Sequence, residues 1–245
     1  MAMEQIRTGR MMSNWRCLLT MILGLILPAV LVSSVEAAST GALSGSVKLS
    51  GAPPPAPKPT PVSANPEKCG TEHTADLLIG PDGSVRWAVI RIEGAKGEFP
   101  AAAEPPTLDQ RGCRFTPHVV VVPVGKPLRV LNNDGILHNV HTFPEKNTPL
   151  NTAQPGFKKS METTFATPEI VRVGCDVHPW MSARIVVADS PFVAVTDSNG
   201  AFSIEGVPPG TYSVSIWHES LGEQKQQVTI SAGQTAKLAV TVSGK

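Results

Sequence analysis

The sequence predicts an all-β protein: a sandwich of short strands and then a second, smaller β-sandwich module, behind an N-terminal export segment. Composition is the first reason. Its 23 Pro and 21 Gly punctuate a chain whose Val and Thr fall in short runs, which favours strands and tight turns over long helices. Alternation is the second, as in LSGSVKL at 43–49, where every other residue is apolar. The third is a hairpin signal at 198–200, where FVAVTD and AFSIEGV meet across SNG. With 41% apolar residues, in clusters, the chain does not have a disordered composition.

The export segment comes first. Arg7, Arg10 and Arg16 precede the apolar run Leu18 to Val32, and small residues follow in SSVEAAST, the three regions of a secretory signal peptide. Cleavage is expected after Ala37, with Val35 and Ala37 as the small pair, or after Ala38; an uncleaved anchor is the alternative. Cys17 precedes the apolar run and leaves with the signal. No later segment is apolar for long enough to span a bilayer, so no stable membrane insertion is expected after cleavage. Removing residues 1–37 takes three basic and two acidic residues, leaving 18 of each. A neutral chain has no charge excess to draw it to nucleic acid. The expected location is the periplasm, or outside the cell.

Residues 42–62 hold the first strand and the connector GAPPPAPKPTP, whose prolines favour an extended form. Residues 63–190 are expected to form the first module. VRWAVIRIE at 85–93 reads as a strand led in by the turn PDG, and 94–112 as a loop with a helical turn near Ala101 to Glu104. Three strands follow at 115–124, 126–132 and 136–143, separated by Gly125 and by LNNDG. A looser stretch spans 144–168. EIVRVGC at 169–175 and SARIVVAD at 182–189 are strands on either side of a short loop. Residues 191–245 form the second module, with the turn VPPG, the strand TYSVSIWH and two more at 225–230 and 235–243. It is short enough to bury only a modest core. It is expected to lean on its neighbour, with the strand at 43–49 available to complete its sheet.

Three cysteines remain after cleavage. In an oxidising compartment two can pair and the third needs another purpose. The loop GCDVHPWM identifies the third: Cys175, His178 and Met181 stand at Cys-x2-His-x2-Met, so Cys69 and Cys113 are the natural disulfide pair. A thiolate, an imidazole and a thioether on one short loop converge on a single ion, and soft sulfur beside imidazole favours copper. A zinc site more usually has no Met and an additional Cys, His or carboxylate. A fourth ligand is expected from another strand, and LNNDGILHNVHTF offers both His138 and His141.

The loop and the distant histidine together resemble the cupredoxins, specifically the amicyanin-like proteins, over about residues 114–188. The resemblance implies a cupredoxin-like Greek-key sandwich holding one type 1 (blue) copper ion. It selects His138 over His141, with Cys175 and His178 completing a trigonal plane and Met181 as the weak axial donor. It also implies that Asn139 ties the His138 strand to the cysteine loop. The His178 ligand is expected to emerge through an apolar patch where redox partners dock, with Pro144, Pro179 and Trp180 contributing. The implied role is one-electron transfer, with a c-type cytochrome or a periplasmic dehydrogenase as partner. TDSNGAFSIEGVPPGTY at 196–212 resembles the carboxypeptidase regulatory-like domains, which implies scaffolding or partner binding without chemistry of its own.

Other function classes find little support. There is no Gly-rich phosphate cradle, HExxH or nucleophile elbow. The four expected ligands leave no open position for a substrate, so an enzyme is not expected. A copper-trafficking protein and a structural β-sandwich interaction protein are the competing readings. His118 reads as an ordinary strand histidine, and His218 with Glu219 as a solvated strand end. His73 and the Lys158–Lys159 pair carry no assigned role.

Overall fold

The computed structural model describes residues 39–75 and 78–243. The expected signal peptide, with Cys17, lies outside the described residues. Among these residues no helix is long and apolar enough to cross a membrane.

The all-β expectation holds, and the strands build two sandwiches. The first joins a five-stranded and a four-stranded sheet. The five strands run in the order Asn151–Gln154, His138–Phe143, Glu169–Gly174, Ser182–Ala188 and Val119–Pro123, the last pair parallel. The four run in the order Ser160–Thr164, Pro127–Asn132, Thr107–Gln110 and Phe115–Thr116. Val120, Val122, Val140, Val171, Val173 and Ile185 of the larger sheet meet Leu108, Phe115, Leu128 and Val130 of the smaller in one buried core. Cys175 and Met181 belong to the same core.

The second sandwich has a three-stranded sheet, Ala201–Val207, Gly41–Ser50 and Thr235–Ser243. Its four-stranded sheet is Val193–Val195, Val89–Glu93, Gly210–His218 and Gly222–Ile230. The early strand Gly41–Ser50 is central to the first of these, antiparallel to one neighbour and parallel to the other. Gly200 closes the SNG hairpin with φ 72°, and a Cβ there would stand 2.4 Å from the Val47 carbonyl oxygen. Only glycine satisfies both conditions.

Several expected boundaries move. Val89–Glu93 falls within the range 63–190 drawn for the first module, yet it pairs with Val193–Val195 and Gly210–His218. Its Ile90 and Ile92 face the second core, alongside Val214 and Ile216. The strand expected at 115–124 is two strands in different sheets, divided at the cis Thr116–Pro117 bond, where the chain crosses the sandwich. The loose region 144–168 contains two strands. No helical turn forms at 101–104; the single helix among the described residues is Pro66–Cys69.

The unbroken valine run at 119–122 has a physical cause. Val120 and Val122 point into the first core, while Val119 and Val121 point outward. The outward pair meets Val89, Val193, Val195 and Trp217 of the second sandwich, with Val186 and Ile170 beside them. A strand buried on both faces is apolar at every position. Burying each valine fully is worth roughly 1.5 kcal/mol or more, so this seam is a packed joint between the sandwiches.

Candidate metal centre

Two adjacent antiparallel strands bring the distant donors together. Glu169–Gly174 pairs with His138–Phe143, with Gly174 opposite His141. That register runs on toward Cys175 on one strand and His138 on the other. The loop after Gly174 turns back through a hydrogen bond from the Met181 N–H to the His178 carbonyl, 2.9 Å. Cys175, His178 and Met181 are all buried, and so is His138.

His138 Nδ1 lies 3.8 Å from Cys175 Sγ and His178 Nδ1 lies 3.7 Å from it. The two ring centroids are 4.5 Å apart. The outer nitrogens have partners that decide the tautomers. His138 Nε2 donates to the Asp134 carboxylate at 2.9 Å, and His178 Nε2 donates to Asn65 Oδ1 at 3.1 Å. Both Nδ1 lone pairs therefore point at one sulfur, and a thiol carries a single proton. It can satisfy one imidazole and leaves the other a buried acceptor without a donor, an arrangement that folded proteins avoid. A cation resolves the conflict for all three atoms. An ion about 2.0 Å from nitrogen and about 2.3 Å from sulfur, in a trigonal plane, separates N and S by ~3.7 Å. The donor spacing of this site fits that figure.

Further bonds stiffen the site. Asn139 N–H points at Cys175 Sγ, 3.5 Å away. The Asn139 side chain donates to Asn151 and Asp176, at 2.7 and 2.9 Å, and accepts from the Asp176 N–H. It thus joins the His138 strand to the cysteine loop. Asp134 accepts from Gly112 and Cys113 N–H at 2.6 and 2.9 Å as well as from His138. Gly112 and Cys113 both have positive φ, 62° and 53°, which turns consecutive amides onto one carboxylate. The turn that presents Asp134 is braced from inside, where Asn132 Nδ2 donates to the Ile136 and Gln154 carbonyls.

His141 lies apart from this group. It is half-exposed, its Nδ1 is 2.9 Å from Asp176 and its ring stacks on Phe143. The Cys69–Cys113 disulfide is present and Cys175 is a free, buried thiol. The expectation that His178 emerges at the surface is overturned: it has no exposed area. The turn at Asn65 covers it, and Trp180 packs edge-on at 5.2 Å. Of the three residues assigned to a docking patch, Pro179 is exposed, while Pro144 and Trp180 are half-buried. Trp180 is further tied down by its indole N–H donating to the Cys113 carbonyl. Asn65 and Asp134 were not legible as site residues. An aspartate in a turn has no special signal, and Asn65 is 113 positions from its partner.

His218 and Glu219 do not form the solvated strand end expected of them, and His118 lies just before the strand Val119–Pro123. Glu219 sits where the two sandwiches meet, 2.5 Å from His118 Nε2 and 2.5 Å from an Arg184 guanidinium nitrogen. His218 is buried beside it.

Burial pushes the His138 imidazole below its usual range, against the opposing pull of Asp134. Burial, together with the neighbouring His138, pushes His178 down to about 4. Both lone pairs are therefore available at neutral pH without loss of a proton. The unfolded chain, whose histidines titrate near 6.5, gains protons that the folded apoprotein refuses. Stability of the metal-free protein should be full above about pH 6.5 and decline as pH falls toward 4. His178, with the larger downward shift, should account for much of that decline. Denaturant unfolding of apoprotein at several pH values measures the slope, which should flatten in His178→Asn. An identical slope in that variant would contradict the buried, neutral state.

A family model of the carboxypeptidase regulatory-like domain matches residues 176–243. No curated protein matches this chain. Among solved structures it is similar to a copper-containing nitrite reductase from Thermus scotoductus SA-01, at 27% identity and TM-score 0.33. That match covers 39% of this chain but only 24% of the reductase. It is similar to a methionine-to-alanine mutant of amicyanin in its Cu(I) form, at 18% identity, TM-score 0.32, 40% of this chain and 98% of that one. A purple cupredoxin from Nitrosopumilus maritimus is similar over 30% of this chain and 81% of its own, at 20% identity and TM-score 0.26. The chain is thus similar to a carboxypeptidase regulatory-like domain in its C-terminal part, and cupredoxins stand among the structures it resembles.

Proposed function

We propose that this protein is an exported electron carrier that binds one copper ion through His138, Cys175, His178 and Met181. The observation that carries the reading is the convergence of two neutral imidazole Nδ1 atoms on one buried thiol, at 3.8 and 3.7 Å. A His2Cys set with a methionine on the same loop favours copper over zinc. When bound, the ion supplies a one-electron couple. The chain's own part is to hold the donors in one arrangement. Asn139 N–H supports the sulfur, Asp134 and Asn65 orient the rings, and the surrounding apolar core excludes water. Donors fixed in this way need little rearrangement when the charge at the site changes.

The periplasm, or the cell exterior, suits both the N-terminal Arg and apolar pattern and the Cys69–Cys113 disulfide. The partner in this reading is another redox protein, such as a c-type cytochrome or a periplasmic dehydrogenase. The visible spectrum of protein loaded with Cu(II) tests the reading. An intense thiolate-to-copper band that bleaches on reduction and returns on oxidation is the expected result. A colourless copper complex, or one that does not cycle, would overturn it. Met181→Leu should keep copper bound, because the trigonal donors remain. Its reduction potential should rise, since an apolar axial neighbour favours Cu(I). Voltammetry showing an unchanged or lower potential would remove Met181 from the ligand set.

A further inference from the structure

The segment that covers His178 is built as a strap. Thr60–Pro61 pairs with Glu72–His73, and Val62 N–H bonds the Thr71 carbonyl. The helical turn Pro66–Cys69 lies between them, with Asn65 at its N-cap. Asn65 has φ 49°, a left-handed conformation that asparagine tolerates better than most residues. Its side chain does not cap the helix. It meets His178 Nε2 instead. Four residues on, Cys69 fastens the strap to Cys113. The disulfide sulfurs lie within 4.8 Å of a His178 ring nitrogen.

Cys113 is a hub. Its sulfur holds the strap and its N–H holds Asp134, the partner of His138. Its carbonyl holds Trp180, which packs on His178. The outer nitrogens of both imidazoles are therefore set by groups that meet at one disulfide.

We propose that Asn65 is the positioning residue for His178, and that the Cys69–Cys113 disulfide is a working part of the metal centre, holding Asn65 and Asp134 behind the two histidine ligands. This rests on the copper reading above. Asn65 Oδ1 accepts the Nε2 proton, which leaves Nδ1 as the metal-binding nitrogen and fixes the ring plane. The strap also closes the edge of His178 to water. Partners that orient a ligating histidine typically contribute 10–100-fold to metal affinity.

The test uses full-length mature protein and copper affinity, measured by competition with a chelator, alongside the electron paramagnetic resonance spectrum. Asn65→Gly fits the left-handed backbone and removes the acceptor. It should weaken copper binding by about 10–100-fold and alter the spectrum. Asn65→Asp keeps an acceptor oxygen in a tolerated conformation and should restore affinity to within about threefold. Loss of the disulfide in Cys69→Ser/Cys113→Ser should cost at least as much as Asn65→Gly. Adding Asn65→Gly to it should cost almost nothing further, because the two act through one contact. If the serine variant does not fold, the Gly and Asp variants decide the role of Asn65, and Cu(I) affinity of the wild type with its disulfide reduced decides that of the disulfide: weakened binding is expected, and unchanged affinity would overturn it. Wild-type affinity and an unchanged spectrum in Asn65→Gly would overturn the positioning role while leaving the copper site intact. Failure of the wild-type protein to bind copper would overturn the copper reading itself.

Discussion

In the proposed copper site, His138→Ala is expected to abolish the thiolate-to-copper band and to weaken copper binding by more than about 100-fold, whereas His141→Ala is expected to leave both nearly unchanged. The first magnitude follows from the loss of a direct ligand, which should exceed the 10–100-fold associated with outer partners. It is compounded because the neighbours stay behind: Asp134 loses the N–H it accepts, and Cys175 loses one of two facing imidazoles. His141 is three residues along the same strand. Strand side chains alternate, so it turns to the other side, half-exposed against Phe143 and Asp176. Absorption spectra and chelator competition on both variants, each shown to be folded, provide the check. The reverse outcome, with His141→Ala colourless and His138→Ala still blue, would require a different ligand set.

The largest effect on stability is expected from Glu219→Ala. Glu219 is mostly buried and meets both His118 and Arg184 of the first sandwich. Burial by itself raises its pKa, but the hydrogen bond from His118 and the charges of His118 and Arg184 outweigh that, and the net shift is downward. Removing the carboxylate strands Arg184, 17% exposed at its side chain, beside a buried histidine. Breaking a buried pair from one side costs about 3–5 kcal/mol. Because each sandwich has its own apolar core, the variant should unfold earlier and in two steps where a single step is expected of the wild type. A lowered folded pKa also fixes the sign of the pH dependence. The contribution is present above the unfolded value near 4.5 and is lost as pH falls through the folded one. Calorimetry at pH 7 on Glu219→Ala and Glu219→Gln would show it, and a loss below about 1 kcal/mol in the alanine variant would mean that the seam is held by its valines alone.

The two predictions differ in how far the sequence announces them. The local spacing Cys-x2-His-x2-Met marked Cys175, His178 and Met181 and called for a further donor, and the resemblance to the amicyanin-like proteins chose His138 over His141 as that donor. Glu219 read as a solvated strand end because its own neighbours, SIWHES, resemble any strand terminus. Its partners lie 101 and 35 positions away, at His118 and Arg184. The valine run at 119–122 signalled a strand, but not that both of its faces are covered by different cores.

The sequence by itself determined the all-β class, most strand positions, the disulfide partners and the donor-bearing loop. These rest on period-two alternation, turn residues, an odd cysteine count and short-range spacing, all of which act within a few residues or on composition. Only the tertiary structure decided that Val89–Glu93 belongs to the second sandwich, that Asn65 and Asp134 orient the two histidines, and that His178 is sealed from solvent. The strand assignment and the cover over His178 depend on segments tens of residues apart meeting in space, and Asp134, though only four positions from His138, is held there by amides of Gly112 and Cys113 from another part of the chain. Such meetings are chosen by the burial of whole faces against one another, and no local pattern along the chain encodes them.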